Sequence, residues 1–273
     1  MLGEGLNKLQ KGARDVAGMI TDTANDAVRE VRDLAVESAE EIRGALPSLE
    51  EVLAQAVLLP GASVSREEFL KKALKGYSPV VVDRAIAHTP VRAGIPLGKL
   101  RRLAGKALGR EARRTTVASM AAGLPGGMAA AATIPADLIQ LYAHLVRAIQ
   151  MLSYLYGWRD ACYVRVGAMD PALSKLLIVF LGAMAGDERA DAELKRLAPL
   201  REGDAGAVLA AVAQSDAVDG IAQGLEGRMA HRMTGQVVGK SVPLAGAVIS
   251  GTISYGGFSD MWKHLRDVLE AIA

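Results

Sequence analysis

The longest uncharged run in the chain, from Thr115 to Ala136, constrains its fold most strongly. It consists mainly of Ala, Gly, Met and Thr, with Leu124-Pro125-Gly126-Gly127 in its middle. Proline fixes φ and glycine accepts positive φ, so this tetrapeptide predicts a reversal between two short apolar helices. Thr133 as a cap and Pro135 in the first turn then predict a longer helix, which continues towards Trp158.

Composition favours helices throughout. Hydrophobic residues make up 51% of the 273 residues, but aromatic residues only 4%, so the core must consist of Ala, Leu, Val, Ile and Met. These residues suit close-packed helices better than β-sandwiches. A second uncharged run, from Ser241 to Ser259, contains Gly246 and Gly251, which permit close backbone approach. The sequence therefore predicts an all-α multi-helix bundle with Gly/Ala-rich apolar helical hairpins.

Charge and cysteine content exclude several classes of protein. The net charge of +2 predicts no acidic or nucleic-acid partner for the chain as a whole. Cys162 is the single cysteine, which excludes an internal disulfide and a cysteine-based zinc cluster. Met1 to Gln10 contain no apolar segment typical of a secretory signal. We expect a bacterial-type cytoplasmic protein without a metal or another cofactor.

Residues 1–62 are predicted to form an amphipathic helical extension. Apolar or small residues recur there every eleven residues, a period of about 3.67 residues per turn, which keeps the stripe nearly straight along a helix. The stripe consists of Ala13, Val16, Ile20, Ala24, Ala27, Val31, Ala35, Ser38 and Ile42. Its small residues and acidic flanks favour packing on the protein's own core or on another copy, as in a homo-oligomer. A lipid surface and partial disorder are the alternatives.

A domain boundary is predicted at Pro60-Gly61, where the chain is broken. Before it, Ser48 and Glu51 match a capping box for a short helix. After it, Ser65 and Glu68 match another, and helical patterns follow to the end of the chain. The sequence therefore predicts a helical domain over residues 63–273 that folds without residues 1–60.

The predicted helix from Lys99 to Arg114 is strongly basic, and Glu111 is its one acidic residue. Its basic residues are Lys99, Arg101, Arg102, Lys106, Arg110, Arg113 and Arg114. They form either a solvated helix face or a binding surface for anionic lipid, because basic clusters beside apolar segments bind anionic headgroups. A nucleic-acid surface is the weaker hypothesis, since no aromatic residues are interleaved to stack bases.

A polar face on the helix after Pro135 is the best candidate site. Asp137, Gln140, His144 and Arg147 fall within about a quarter of the helix circumference, on an otherwise apolar helix. One interpretation is a small site in which His144 acts as acid, base or ligand. The other is a structural network in which Arg147 neutralises a buried carboxylate. No metal-ligand spacing, Gly-x-Ser-x-Gly motif or phosphate-binding loop accompanies this face.

Three segments together resemble a known family. AAGLPGGMAAAATIPADLIQLYAHLVRAIQMLSYLYGWRD and GKSVPLAGAVISGTISYGGFSDMWKHLRDVL resemble the two signature blocks of the EcsC family. FLKKALKGYSPVVVDRAIAHTPVRAGI is similar to a segment that precedes these blocks in related bacterial proteins. The resemblance covers Glu67 to Leu269. It implies a bacterial helical protein whose namesake is encoded beside an ABC transporter, and it supplies no established activity or catalytic residue.

Two functional hypotheses follow from the sequence. The first is a non-enzymatic helical protein that acts peripherally on the cytoplasmic face of the membrane, with a transport or secretion machine as a candidate protein partner. The second is a soluble enzyme or small-ligand binder that uses the polar face around His144.

Overall fold

The computed structural model describes the backbone of residues 47–121, 136–159, 161–164, 169–241 and 260–273. Side chains are described in the same ranges, apart from residues 112–121, 137 and 230–241. Within these ranges every regular element is helical and no strand occurs, which confirms the predicted all-α fold. The eleven-residue stripe and both predicted hairpin turns lie outside the described residues.

The helices follow one another through short connections. In chain order they are α1 (Leu49–Ala56), α2 (Arg66–Ala73), α3 (Pro79–Ala87), α4 (Leu97–Ala121), α5 (Ala136–Leu155), α6 (Pro171–Met184), α7 (Glu188–Leu197), a 3₁₀ turn (Ala198–Leu200), α8 (Ala205–Ala213), α9 (Ala217–Ser241) and α10 (residues 260–271). The chain divides into two compact units. The larger contains residues 47–229 and 244–273, and the smaller contains residues 1–46 and 230–243, of which only the end of α9 is described.

Helices α5 and α6 form the centre of the larger unit. Helix α5 contacts α1, α2, α4 and α6, and α6 also contacts α1, α7 and α8. Val146, Ile149 and Leu152 of α5 and Phe180 of α6 are fully buried. Trp158 packs edge-on against Phe180, with ring centroids 5.2 Å apart. Each such side chain contributes about 1.5–3 kcal/mol through burial, so this layer holds the unit together.

Side-chain caps explain where several helices begin. Ser48 Oγ accepts from the Glu51 N–H at 3.2 Å, and Glu51 Oε2 accepts from the Ser48 N–H at 2.9 Å, which completes the predicted capping box of α1. Asp170, Asp187 and Asp204 accept backbone N–H groups at the starts of α6, α7 and α8. Each cap contributes about 1 kcal/mol.

Helix α5 ends at a glycine in the left-handed region. Gly157 has φ +93°, and the Trp158 N–H donates to the Ser153 carbonyl at 2.9 Å, the long bond of a Schellman motif. Any other residue at position 157 would be strained. The Tyr-Leu-Tyr-Gly-Trp segment therefore has a structural reason, because its glycine turns the chain so that Trp158 enters the core.

Helix α1 differs from the expectation for its region. The sequence assigns residues 47–62 to an extension, but the structure places them in the larger unit. Leu49, Val52, Leu53 and Ala56 are fully buried, and α1 contacts α5 and α6. Their spacing of three, four and seven residues puts them on one helix face. The break at Pro60-Gly61 is thus a turn within the unit, and core packing begins before it.

Candidate functional site

The polar face of α5 lines a cavity. The structure brings Gln140, His144 and Arg147 together there, while the side chain of Asp137 lies outside the described residues. The cavity has a volume of about 290 Å³. Its other walls are Ala143 of α5, Glu111 of α4 and the connecting residues Leu59, Pro60, Gly61 and Ala62.

Glu111 supplies the described carboxylate of this site. Its Oε1 lies 2.7 Å from His144 Nδ1 and accepts a hydrogen bond from Arg147 Nε at 2.8 Å. Sequence reasoning placed Glu111 in the basic helix and did not connect it with the polar face of α5. The helical period of α4 indicates that Glu111 is buried, because it lies on the same helix face as the buried residues Leu100, Ala104 and Leu108. A carboxylate on an apolar stripe predicts a buried polar partner.

The charge state of Glu111 follows from two opposing effects. Burial raises the pKa of its carboxyl, but the hydrogen bonds and charges of His144 and Arg147 outweigh burial and hold the pKa below its usual value of 4.5. Glu111 is therefore ionised at neutral pH and can only accept hydrogen bonds. This assigns the hydrogen of His144 to Nδ1. Nε2 of His144 has no partner among the described residues.

The same face of α5 also holds the connection between α1 and α2. Arg147 Nη1 donates to the Gly61 carbonyl, and Gln150 Nε2 donates to the Ala62 carbonyl at 2.9 Å. Gln150 Oε1 accepts from the Val64 N–H at 2.9 Å, and Tyr154 Oη donates to the Val64 carbonyl at 3.1 Å. A connecting segment without its own backbone ladder thus finds its partners on a helix. Arg147 is therefore both a cavity wall and a structural anchor.

A second candidate surface lies on the outer face of α4. Lys99, Arg102, Lys106 and Arg110 are exposed and recur at spacings of three, four and four residues, so they form one row along the helix. We call this row the basic ridge. Within the described part of the chain, none of the four forms an ion pair, and Arg102 Nε donates only to the Gly98 carbonyl. The helix backbone continues from the ridge into the first residues of the uncharged run.

The other predicted lipid-binding residues differ from the ridge. Arg101 is exposed, but its Nε donates to Glu270 Oε2 of α10 at 2.8 Å, and its Nη2 lies 3.7 Å from Asp267. Its charge is therefore paired within the protein. The side chains of Arg113 and Arg114 lie outside the described residues. Four of the seven predicted residues thus form the described basic surface.

Several kinds of site are not found where the structure describes the chain. Among the described residues, no group of three His, Cys, Asp or Glu side chains is placed to hold a metal ion. No described helix is both long enough and apolar enough to cross a membrane. Cys162 is fully buried, and burial raises the pKa of its thiol to about 12, so it is a neutral thiol at physiological pH. The described lining of the cavity beside His144 contains no hydroxyl, thiol or amine side chain.

Known proteins do not add a family to this description. No family model, no curated protein and no solved structure matches the chain. The likeness to the EcsC family remains a prediction that depends on the quoted sequence segments.

Proposed function

We propose that the protein is a non-enzymatic helical protein that attaches peripherally to the anionic cytoplasmic face of a membrane through the basic ridge. The observation that carries the proposal is the two-sided character of α4. Its inner face is buried through Leu100, Ala104 and Leu108, and its outer face presents four cations without acidic partners among the described residues. Such a surface attracts anionic headgroups.

The magnitudes require a second contribution to binding. A basic residue near an anionic leaflet contributes about 1 kcal/mol, so four residues contribute about 4 kcal/mol, which corresponds to a dissociation constant of about 1 mM. Attachment through the ridge alone is therefore weak and reversible. The uncharged run from Thr115, which continues directly from the ridge, is the proposed apolar contribution. Ala, Gly and Thr insert weakly, so we propose attachment at the surface instead of a stable span.

The likeness to the EcsC family extends this proposal. Its namesake is encoded beside an ABC transporter, so we propose that the membrane-bound protein works near a transport or secretion machine.

Flotation with liposomes tests the attachment. The full chain is mixed with vesicles of phosphatidylglycerol and phosphatidylcholine, or of phosphatidylcholine alone, and floated at low and high salt. We expect recovery with the anionic vesicles at low salt and release of most of the protein near 1 M salt, where the Debye length is only about 3 Å. Absence of flotation at low salt would overturn the proposal.

A charge-matched pair of variants identifies the surface. Lys106→Glu with Arg110→Glu reverses two ridge charges, and Lys72→Glu with Lys75→Glu reverses two exposed charges on or next to α2. Both variants change the net charge equally. We expect the ridge variant to lose flotation and the α2 variant to keep most of it. Equal losses would show attraction by net charge, without a role for the ridge.

A further inference from the structure

We infer that the cavity between α4, α5 and the Leu59–Ala62 connection binds a small organic acid, with its carboxylate held by Arg147 and Gln140. This inference is independent of membrane attachment. All described walls of the cavity belong to the larger unit.

The volume sets the size of the ligand. A cavity of about 290 Å³ corresponds to about ten waters at their liquid volume. It lies at the lower limit of ordinary ligand pockets. The space therefore suits a group of about ten non-hydrogen atoms or fewer.

The hydrogen-bonding groups of the walls set the chemistry of the ligand. Glu111 is the only carboxylate in the described lining, and its Oε1 already interacts with both Arg147 and His144. Three groups have no partner among the described residues: Arg147 Nη2, His144 Nε2 and the Gln140 amide. Guanidinium nitrogens only donate, and an amide nitrogen also donates. A carboxylate suits the two donor groups, Arg147 Nη2 and Gln140 Nε2, because it accepts several hydrogen bonds at once.

Charge balance determines how the acid is accommodated. The charged groups that face His144 are Glu111 from α4 and Arg147 on α5, and the Leu59–Ala62 connection carries none. The Glu111 carboxylate is already engaged by Arg147 Nε and His144 Nδ1, so Arg147 Nη2 keeps a charge-assisted donor for the carboxylate of the ligand.

The remaining walls accept a short apolar group. Leu59, Pro60 and Ala143 line the cavity with hydrocarbon. Leu59 is 36% exposed, which places it at the rim of the cavity. A ligand that packs against Leu59 would remove part of this surface from water.

Binding to the full chain is measured with butyrate and benzoate as probes, and with butyramide and benzamide as uncharged controls of the same shape. Charge-assisted hydrogen bonds are stronger than neutral ones, so we expect the acids to bind about tenfold more tightly than the amides. Isothermal titration calorimetry gives the dissociation constant of each probe. Equal affinity for amides, or no binding of any probe, overturns the inference.

Two neighbouring leucines provide a matched pair of variants. Leu59→Trp fills the rim of the cavity, whereas Leu58→Trp adds the same ring at a residue that is 48% exposed and outside the lining. Neither substitution touches the hydrogen bonds of Glu111, so both variants should fold. We expect Leu59→Trp to weaken binding of butyrate at least tenfold and Leu58→Trp to leave it unchanged. Unchanged binding in Leu59→Trp would place the ligand elsewhere and refute the assignment.

Discussion

Glu111 of α4 and Arg147 of α5 form a buried ion pair between two helices, in which Arg147 Nε lies 2.8 Å from Glu111 Oε1. The Arg147 side chain is 17% exposed and the Glu111 side chain 3%. His144 lies 2.7 Å from the same oxygen. Arg147 also donates to the Gly61 carbonyl, so one guanidinium connects α4, α5 and the segment after α1. The pair therefore holds these three parts of the chain together and also forms part of the cavity wall.

Removing the carboxylate should destabilise the protein. Glu111→Ala leaves Arg147 largely buried without its counter-charge, which costs about 3–5 kcal/mol at fully buried sites. Because Arg147 is partly hydrated, we expect the free energy of unfolding to fall by about 2–4 kcal/mol. Urea denaturation measures this change. Asp83→Asn, at an exposed carboxylate of α3, is the control and should change the value by less than about 0.5 kcal/mol.

A double-mutant cycle separates the pair from general effects of truncation. Glu111→Ala and Arg147→Ala should couple by about 1–3 kcal/mol, so that the double variant is more stable than the sum of the single effects predicts. Additive losses would show that the two side chains act independently, in disagreement with the geometry.

Stability should also depend on pH through Glu111. Its pKa is lower in the folded protein than the usual 4.5, so folding favours the ionised form. The resulting stabilisation is complete above about pH 4.5 and is lost as the pH falls through the folded value. We expect the free energy of unfolding to fall as the pH drops below about 4.5, and the free energy of unfolding of Glu111→Gln to fall less over the same interval. The pKa of Glu193 is also lowered, by its hydrogen bond with Arg196. Glu193 therefore still contributes to the pH dependence of stability in Glu111→Gln. An unchanged slope in Glu111→Gln would contradict the assignment.

Local signals in the sequence were sufficient to predict where several helices begin. The Ser48 and Glu51 capping box is confirmed, and Ser65 caps α2 by accepting from the Glu68 N–H. Pro79 begins α3, at the first helical position, which proline favours. These signals act within one helical turn, so they can be read without knowledge of the partners of a helix.

Relationships between helices could not be read in this way. The bond from Arg147 to Glu111 joins residues 36 positions apart, and the sequence does not state which helix α5 packs against. The sequence instead offered Asp137, the carboxylate on the same helix. The place of α1 could not be read from the sequence for the same reason. Pro60-Gly61 marks a turn, but only the packing of the helices shows on which side of this turn the core begins.

The place of α1 in the core can be tested with two leucines. Leu53 is fully buried in α1, and Leu53→Ala should lower the free energy of unfolding by about 2–5 kcal/mol. Leu58 is 48% exposed, so Leu58→Ala should change it by less than about 0.5 kcal/mol. Thermal and urea unfolding of both variants give the comparison. A small effect of Leu53→Ala would restore the sequence-based boundary at residue 62.

Close helix packing predicts opposite effects for two glycine substitutions. A Cβ on Gly182 of α6 would overlap Ile221 Cγ2 of α9 and lie 2.8 Å from Ala190 Cβ of α7. Gly182→Ala should therefore destabilise by about 1–3 kcal/mol, despite the better helix propensity of alanine. A Cβ on Gly105 of α4 meets nothing within 4 Å, so Gly105→Ala should stabilise by about 0.5–1 kcal/mol. Differential scanning calorimetry should show transition temperatures that move in opposite directions.

The anchoring of the α1–α2 connection predicts a local effect at one amide. Gln150 is fully buried and bonds both the Val64 N–H and the Ala62 carbonyl at 2.9 Å. Gln150→Met keeps the side-chain length but leaves both backbone groups without these partners, at a cost of about 1–3 kcal/mol for each. We expect hydrogen exchange at Val64 to accelerate more than exchange at core amides of α6, because the segment opens before the helices unfold. Gln55→Met, at an exposed residue of α1, should leave Val64 unchanged, and equal acceleration throughout the variant would show that Gln150 stabilises only the global fold.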